Sequence, residues 1–150
     1  MNFWSPISCQ NSSISHSVST GEEDEKSVYI VRAKLFCLDQ NQWRERGTGT
    51  LKLNVRLSDG EGARLVMRKE AVFTLLLNVP IFSGMSASTA QDPRYVRLSA
   101  FEGGQTVHYN LRVCYLCFRS LGPRYSWSIQ VASAKMGEEL LDAIKTYAIA

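Results

Sequence analysis

A mainly β fold, a small antiparallel barrel or sandwich capped by one C-terminal α-helix, is predicted by two features of the sequence. Apolar and polar residues alternate through several short segments between Val28 and Val113, the period of half-buried strands. The period becomes helical only near the end, where Met136, Leu140, Ile144 and Tyr147 recur on one face. With 150 residues, 45% hydrophobic and 21% charged, the chain can bury one core and is expected to form one domain.

The elements follow in order. Residues 1–20 are rich in Ser and Asn, lack periodicity and read as a disordered leader, with 21–150 as the domain. Structure is expected from about Val28, with Tyr29, Val31, Ala33, Leu35 and Cys37 facing inward and Arg32 and Lys34 outward. In the next run Leu51, Leu53, Val55 and Leu57 point one way, and Thr50, Lys52, Asn54 and Arg56 the other. The turn cluster Ser58-Asp-Gly-Glu-Gly62 predicts a hairpin into Arg64-Leu-Val-Met-Arg68, Leu65 and Met67 inward. Val72 to Val79 is a further strand that Pro80 ends or marks as an edge, and Ser83 to Pro93 reads as a loop. Tyr95 to Phe101 and Val107 to Val113 form a second hairpin about Glu102-Gly-Gly-Gln105. Ser133 is the expected N-cap of the helix, with Glu138 and Glu139 complementing its dipole. A helix over the open mouth of a short curled sheet covers its exposed edges.

No run approaches the roughly 20 apolar residues of a membrane-spanning helix, and residues 1–20 show no charged segment followed by an apolar one, as a secretory signal would. Cys9, Cys37, Cys114 and Cys117 are too irregularly placed for a disulfide framework, so a reducing compartment is expected. Catalysis needs a nucleophile, a base and an orienting group in one cleft, and the supply is thin. His16 falls in the leader, and His108 on a strand reads as a surface or hydrogen-bonded histidine. Cys114-Tyr-Leu-Cys117 has C-x-x-C spacing but no second ligand pair, so no metal is expected. Neither standard phosphate loop occurs, and Gly47-Thr48-Gly49 is only a fragment of one. No catalytic residue, cofactor or enzymatic activity is expected.

Charge is segregated. The formal sum of +3 comes from 17 basic and 14 acidic residues. Glu22, Glu23, Asp24 and Glu25 form an acidic block ahead of the first strand. From Arg32 to Lys69 nine basic residues face four acidic ones. Opposite fields on two parts of one domain orient a partner that is itself bipolar, whereas an acidic leader repels nucleic-acid phosphate.

The most distinctive stretch is Gln42-Trp43-Arg44-Glu45-Arg46-Gly47-Thr48-Gly49. A Trp flanked by Arg and Glu has the composition of an interface anchor, the alternative being a Trp that closes the barrel rim. With Gly21-Glu-Glu-Asp-Glu25 ahead of Val31-Arg-Ala-Lys-Leu-Phe36, and Arg64-Leu-Val-Met-Arg-Lys69 beyond, the chain resembles the Ran-binding domain family over residues 21–113 and again from about Val131 to Tyr147. The resemblance implies a pleckstrin-homology-like barrel that binds the small GTPase Ran in its GTP form. The implied contacts are Glu22, Glu23, Asp24 and Glu25 in the acidic leader and Trp43, Arg44, Glu45, Arg46 and Gly47 in the central motif, with Arg44 where many members have Lys. Lys34, Arg64 and Arg68 are expected in a basic face that takes the GTPase's acidic tail. Leu75-Leu-Leu-Asn-Val-Pro-Ile-Phe82 is similar to the branch of Ran-binding protein three and its fungal counterparts, nuclear cofactors of the exportin that reads leucine-rich export signals. That implies export, a nuclear address and an exportin as second partner, although the Phe-Gly repeats and basic signals usual upstream in that branch do not occur here. The alternatives are a cytoplasmic costimulator of Ran GTP hydrolysis and, from another class, a phosphoinositide-binding pleckstrin-like module, against which the acidic leader counts. A monomer that binds neither membrane nor nucleic acid is expected.

Residues 113–130 interrupt the resemblance and are read as an insert. Val-Cys can be encoded GTATGT and Gln CAG, the ends of a fungal intron, so a translated intron is one reading and a true loop insertion the other, since surface loops tolerate length. If translated, Cys114 to Phe118 prolong the last strand, Gly122-Pro123 is a loop and Trp127 is partly exposed.

Overall fold

The computed structural model describes residues 19–114 and 126–149, the side chains of 126–133 excepted. Seven strands form one antiparallel sheet: β1 (Glu25–Asp39), β2 (Gln42–Arg56), β3 (Ala63–Lys69), β4 (Leu75–Ile81), β5 (Ala87–Thr89), β6 (Tyr95–Glu102) and β7 (Gln105–Cys114). Their spatial order is β4-β3-β2-β1-β7-β6-β5, so β1 joins two meanders and the sheet curls round with β4 and β5 at its edges. The helix α1 (Ser126–Ala148) packs across β5, β7, β6, β1 and β4 and covers the open side.

Alternation dictates this packing. Val31, Ala33, Leu35 and Cys37 of β1 meet Leu51 and Leu53 of β2, Leu65 and Met67 of β3, and Val96, Leu98 and Leu111 across the barrel, all buried. Each fully buried leucine contributes roughly 1.5–3 kcal/mol from apolar area removed from water. Leu140 and Ile144 enter the same core from the helix, with Met136 and Tyr147 half-buried beside them. The Tyr29 hydroxyl donates to the Met136 carbonyl at 2.9 Å and ties helix to sheet. Burial, with Glu139 nearby, pushes that phenol up to about 12, so it stays a donor at neutral pH.

Several boundaries differ from the sequence expectation. Pairing starts at Glu25, not Val28, because the acidic block itself hydrogen-bonds to β2. Leu57 is 61% exposed, since β2 has ended and the turn has begun. Val72 and Phe73 are exposed in the β3–β4 turn, where Ala71 and Phe73 take positive φ, and the strand starts only at Leu75. Pro80 lies within β4, tolerated because β4 is an edge. The stretch read as a loop contains the short edge strand β5. The helix begins at Ser126, so Ser133 is interior rather than an N-cap, and Glu138 and Glu139 lie well past the first turn, which holds no acidic residue. Neither Gly nor Pro occurs between Pro123 and Ser133, which leaves the segment before Ser133 free to be helical. Val113 and Cys114 continue β7 opposite Ala33 and Arg32, and Ser126 to Gln130 are helical. The expectations for His16, Cys9, Cys117, Gly122-Pro123 and the Trp127 side chain, and nearly all of those for residues 1–20, fall outside the described residues.

Candidate functional site: an exposed hairpin tip and a clamped leader

The β1–β2 hairpin places the central motif. Gln40 and Asn41 both take positive φ, the mirror-image turn whose twist matches two antiparallel strands. Asp39 pairs with Gln42, Leu38 with Trp43, Cys37 with Arg44 and Phe36 with Glu45. The register then slips between Leu35 and Phe36, so that Leu35 faces Gly47 and Arg46 is the extra residue. Gly47 sits at that bulge with φ of 150°, and a Cβ on it would meet the Leu76 side chain at 3.1 Å. Gly49 has a plainer reason to be glycine: a Cβ there would lie 1.9 Å from the Arg68 carbonyl oxygen. Strand packing thus requires glycine at 49, and the positive φ of the bulge favours it at 47.

Residues 42–46 are all exposed. Trp43, 38% exposed, lies on the outer face with the Arg97 guanidinium 5.9 Å above its ring, and is not packed as a core residue. Arg44 pairs with Asp39 at 3.0 Å, and Glu45 with Lys34 at 3.4 Å. The opposite edge of the tip carries Tyr109, whose hydroxyl donates to Glu102 at 2.7 Å; burial and that carboxylate raise the phenol's pKa. His108 is exposed, with Nδ1 2.8 Å from the Ser99 hydroxyl.

The acidic leader and the basic face meet each other. Arg64 donates from Nε to Glu25 at 2.7 Å and from an η nitrogen to the Gly21 carbonyl at 2.9 Å. Arg68 reaches Glu22 at 3.3 Å and the Thr20 carbonyl at 3.2 Å. Between them Asn54, only 1% exposed, donates its amide to Glu22 at 2.8 Å and Glu25 at 3.1 Å and accepts from the Ser27 hydroxyl. Burial alone would raise the Glu22 carboxyl, but Asn54 and Arg68, with Lys52 nearby, outweigh it and hold it below the usual 4.5. Glu23 and Asp24, by contrast, are exposed, and Glu23 engages only the leader itself, accepting the Thr20 N–H at 2.7 Å. Sequence spacing puts Glu22 and Arg68 far apart, so these pairings had no local signal. A hollow of about 320 Å³ beside the clamp is lined by Thr50, Lys52, Val66 and Phe73 among others. Among the described residues no three His, Cys, Asp or Glu side chains group as metal ligands.

The model of the RanBP1 domain matches residues 17–103, more than half of the chain, including the clamp and the hairpin tip. The chain belongs to the RanBP1 domain family. It is 40% identical over 107 residues to the brefeldin A resistance protein of Schizosaccharomyces pombe, a match that covers 64% of this chain and 27% of that protein. It is 32% identical over 103 residues to Ran-specific GTPase-activating protein 2 of Saccharomyces cerevisiae, covering 63% of this chain and 32% of the other. Mouse Ran-binding protein 3 is 38% identical over 88 residues, or 55% of this chain and 18% of the relative. The chain thus spans a third or less of these relatives. The Ran-binding domain of the nuclear component Nup2 from Ashbya gossypii superposes with a TM-score of 0.67 at 20% identity, covering 84% of this chain and 97% of that domain, which establishes the Ran-binding-domain barrel as the fold.

Proposed function

We propose that the chain is a non-catalytic module that binds the GTP form of Ran and serves as a nuclear transport cofactor, on the export side. The observation that carries this reading is Trp43 held outward on a projecting hairpin tip, with Arg44, Glu45, Arg46 and Gly47 around it, in a RanBP1 domain. In this reading Glu23 and Asp24 face the GTPase, while Glu22, Glu25, Arg64 and Arg68 act by fixing the path of the leader. Lys34 lies beside the tip through its pair with Glu45. The similarity to mouse Ran-binding protein 3 supports the branch that the sequence resembles, and with it the export role, a nuclear address and an exportin as second partner. A pull-down with Ran loaded with GTP or with GDP tests the core of the proposal: selective retention of the GTP form is expected, and equal retention of both overturns it.

The budding-yeast relative, named as a GTPase-activating protein for Ran, favours a second reading, costimulation of GTP hydrolysis. Single-turnover hydrolysis with the activating protein, with and without this chain, separates the two. For residues 113–130 the translated-intron reading stands as a proposal, and a mature transcript that contains the segment as its main form overturns it.

A further inference from the structure

Beyond Trp43 the outer surface of β1, β7 and β6 carries a continuous strip. The Arg97 guanidinium caps the Trp43 ring, and Arg97 is the cross-strand partner of Asn110. Asn110 in turn pairs with Phe36 on its other side. Phe36 lies 6.4 Å from the Tyr95 ring, and Tyr95 is capped by its own cross-strand partner, Arg112, at 5.9 Å. Two arginine–aromatic pairs thus bracket one asparagine. Trp, Tyr and Arg are the residue types that carry binding energy at interfaces.

Asn110 is out of place as surface or as core. It is 93% buried by its 7% exposure, yet its Oδ1 has no hydrogen-bond partner, and it is the sole buried side-chain oxygen or nitrogen so left among the described residues. A buried amide oxygen without a partner costs about 1–3 kcal/mol, and an aliphatic residue between Phe36 and Arg97 would avoid that cost. Asn110 lines a hollow of about 520 Å³ with Ala90, Gln91, Asp92, Tyr95 and Arg97. The Asp92 carboxylate is consumed by Arg94, which binds both its oxygens at 3.0 and 2.6 Å. Asn110 therefore brings an unmet acceptor, itself covered in the free domain, to the wall of a hollow that the exposed Arg97 also lines.

We infer that this strip extends the partner-binding surface beyond the central motif, and that on docking the Asn110 amide turns so that Oδ1 accepts a hydrogen bond from a partner segment whose backbone N–H sits beside a carboxylate held by Arg97. The inference rests on the Ran-binding reading and adds a specificity-determining residue to it. Arg97 is exposed and held by the Trp43 ring, so a carboxylate can engage it without unfolding any strand.

The test titrates the full chain against Ran loaded with a non-hydrolysable GTP analogue and records Tm in parallel. Asn110→Leu is expected to bind about tenfold more weakly, the loss of one interfacial hydrogen bond, while its Tm rises because the free domain loses an unpaired acceptor. Arg97→Glu, a surface change that folds whatever becomes of Asn110, is expected to weaken binding at least as much. Binding of either folded variant within twofold of the wild type overturns the inference and leaves the Ran reading intact. A lower Tm for Asn110→Leu with unchanged affinity assigns Asn110 to structure and overturns it too. Failure of the wild type to bind Ran at all overturns the parent reading, and the inference with it.

Discussion

The two halves of the outer sheet surface are built on opposite terms. On the β2–β3–β4 side the leader lies across Arg64 and Arg68, and every charged group of the clamp finds its partner within the chain: Glu25 on Arg64, Glu22 on Arg68, both on Asn54. On the β1–β7–β6 side arginines cap aromatic rings, Trp43 stands partly exposed, and Asn110 holds an oxygen with nothing to accept. Charge counting assigns recognition to the first half, where the charges are; satisfaction of hydrogen bonds assigns it to the second. Ions that neutralise one another spend their attraction on the fold, and in the proposed reading the partner meets the tip, the strip and the exposed leader residues Glu23 and Asp24, of which Glu23 also accepts the Thr20 N–H.

The sharpest way to break this contrast is Trp43→Ala. A half-exposed aromatic under a guanidinium contributes little to stability, so Tm is expected to hold nearly constant while Ran affinity falls by about 2 kcal/mol or more, the loss of an aromatic hot spot. Isothermal titration beside thermal denaturation reads both. Wild-type affinity would move the anchor away from the tip.

Arg64→Ala attacks the other half and should show the reverse. Arg64 and Glu25 are both mostly buried, and removal of the guanidinium strands the Glu25 carboxylate and the Gly21 carbonyl. A stability loss of about 1–2 kcal/mol is expected in urea denaturation, with faster amide exchange through residues 20–25 and a smaller loss of Ran affinity than Trp43→Ala. If Arg64→Ala costs more affinity than stability, the clamped face contacts the partner after all.

How much of this was legible in the sequence follows from how local each cause is. Alternation is local, so β1, β2, β3, β6 and β7 were readable, and the inward faces were assigned residue by residue; Leu57 failed because alternation runs on past the last hydrogen bond. β5 escaped because Ala87-Ser-Thr89 carries no large apolar residue and pairs only as an edge. The β1–β2 turn escaped because Gln40 and Asn41 adopt positive φ without a glycine to announce it. Gly137 was silent for another reason: a Cβ on it would lie 2.2 Å from the Pro93 carbonyl oxygen, a helix-to-loop contact that no helical period encodes. The tip was visible as a motif and its exposure followed. The mutual pairing of leader and basic face was not, because the sequence shows two charge blocks and is mute on whether they meet each other or a third body.

Acid should loosen the clamp before the barrel. The Glu22 carboxyl is held below 4.5 in the folded chain, so its contribution is full above the unfolded value and is lost as pH falls through the lower, folded one. Amide exchange at Glu25, whose N–H donates to the Glu22 carbonyl at 3.1 Å, is therefore expected to stay protected at neutral pH and to open only as pH falls beneath the usual carboxylate range, while core amides of β1 remain protected. Cooperative loss of both would mean that the leader is integral to the barrel and not laid upon it.

The smallest expected effect separates charge from geometry at the tip itself. Arg44 and Asp39 form an ion pair with both side chains more than half exposed, so Arg44→Lys should change stability by less than about 0.5 kcal/mol. Lysine keeps the charge but loses the planar fork. Ran affinity is accordingly expected to stay within about threefold, which is roughly 0.6 kcal/mol. A larger drop in the same titration would show that Arg44 makes a two-pronged contact particular to this chain, and the tip would then supply specificity as well as an anchor.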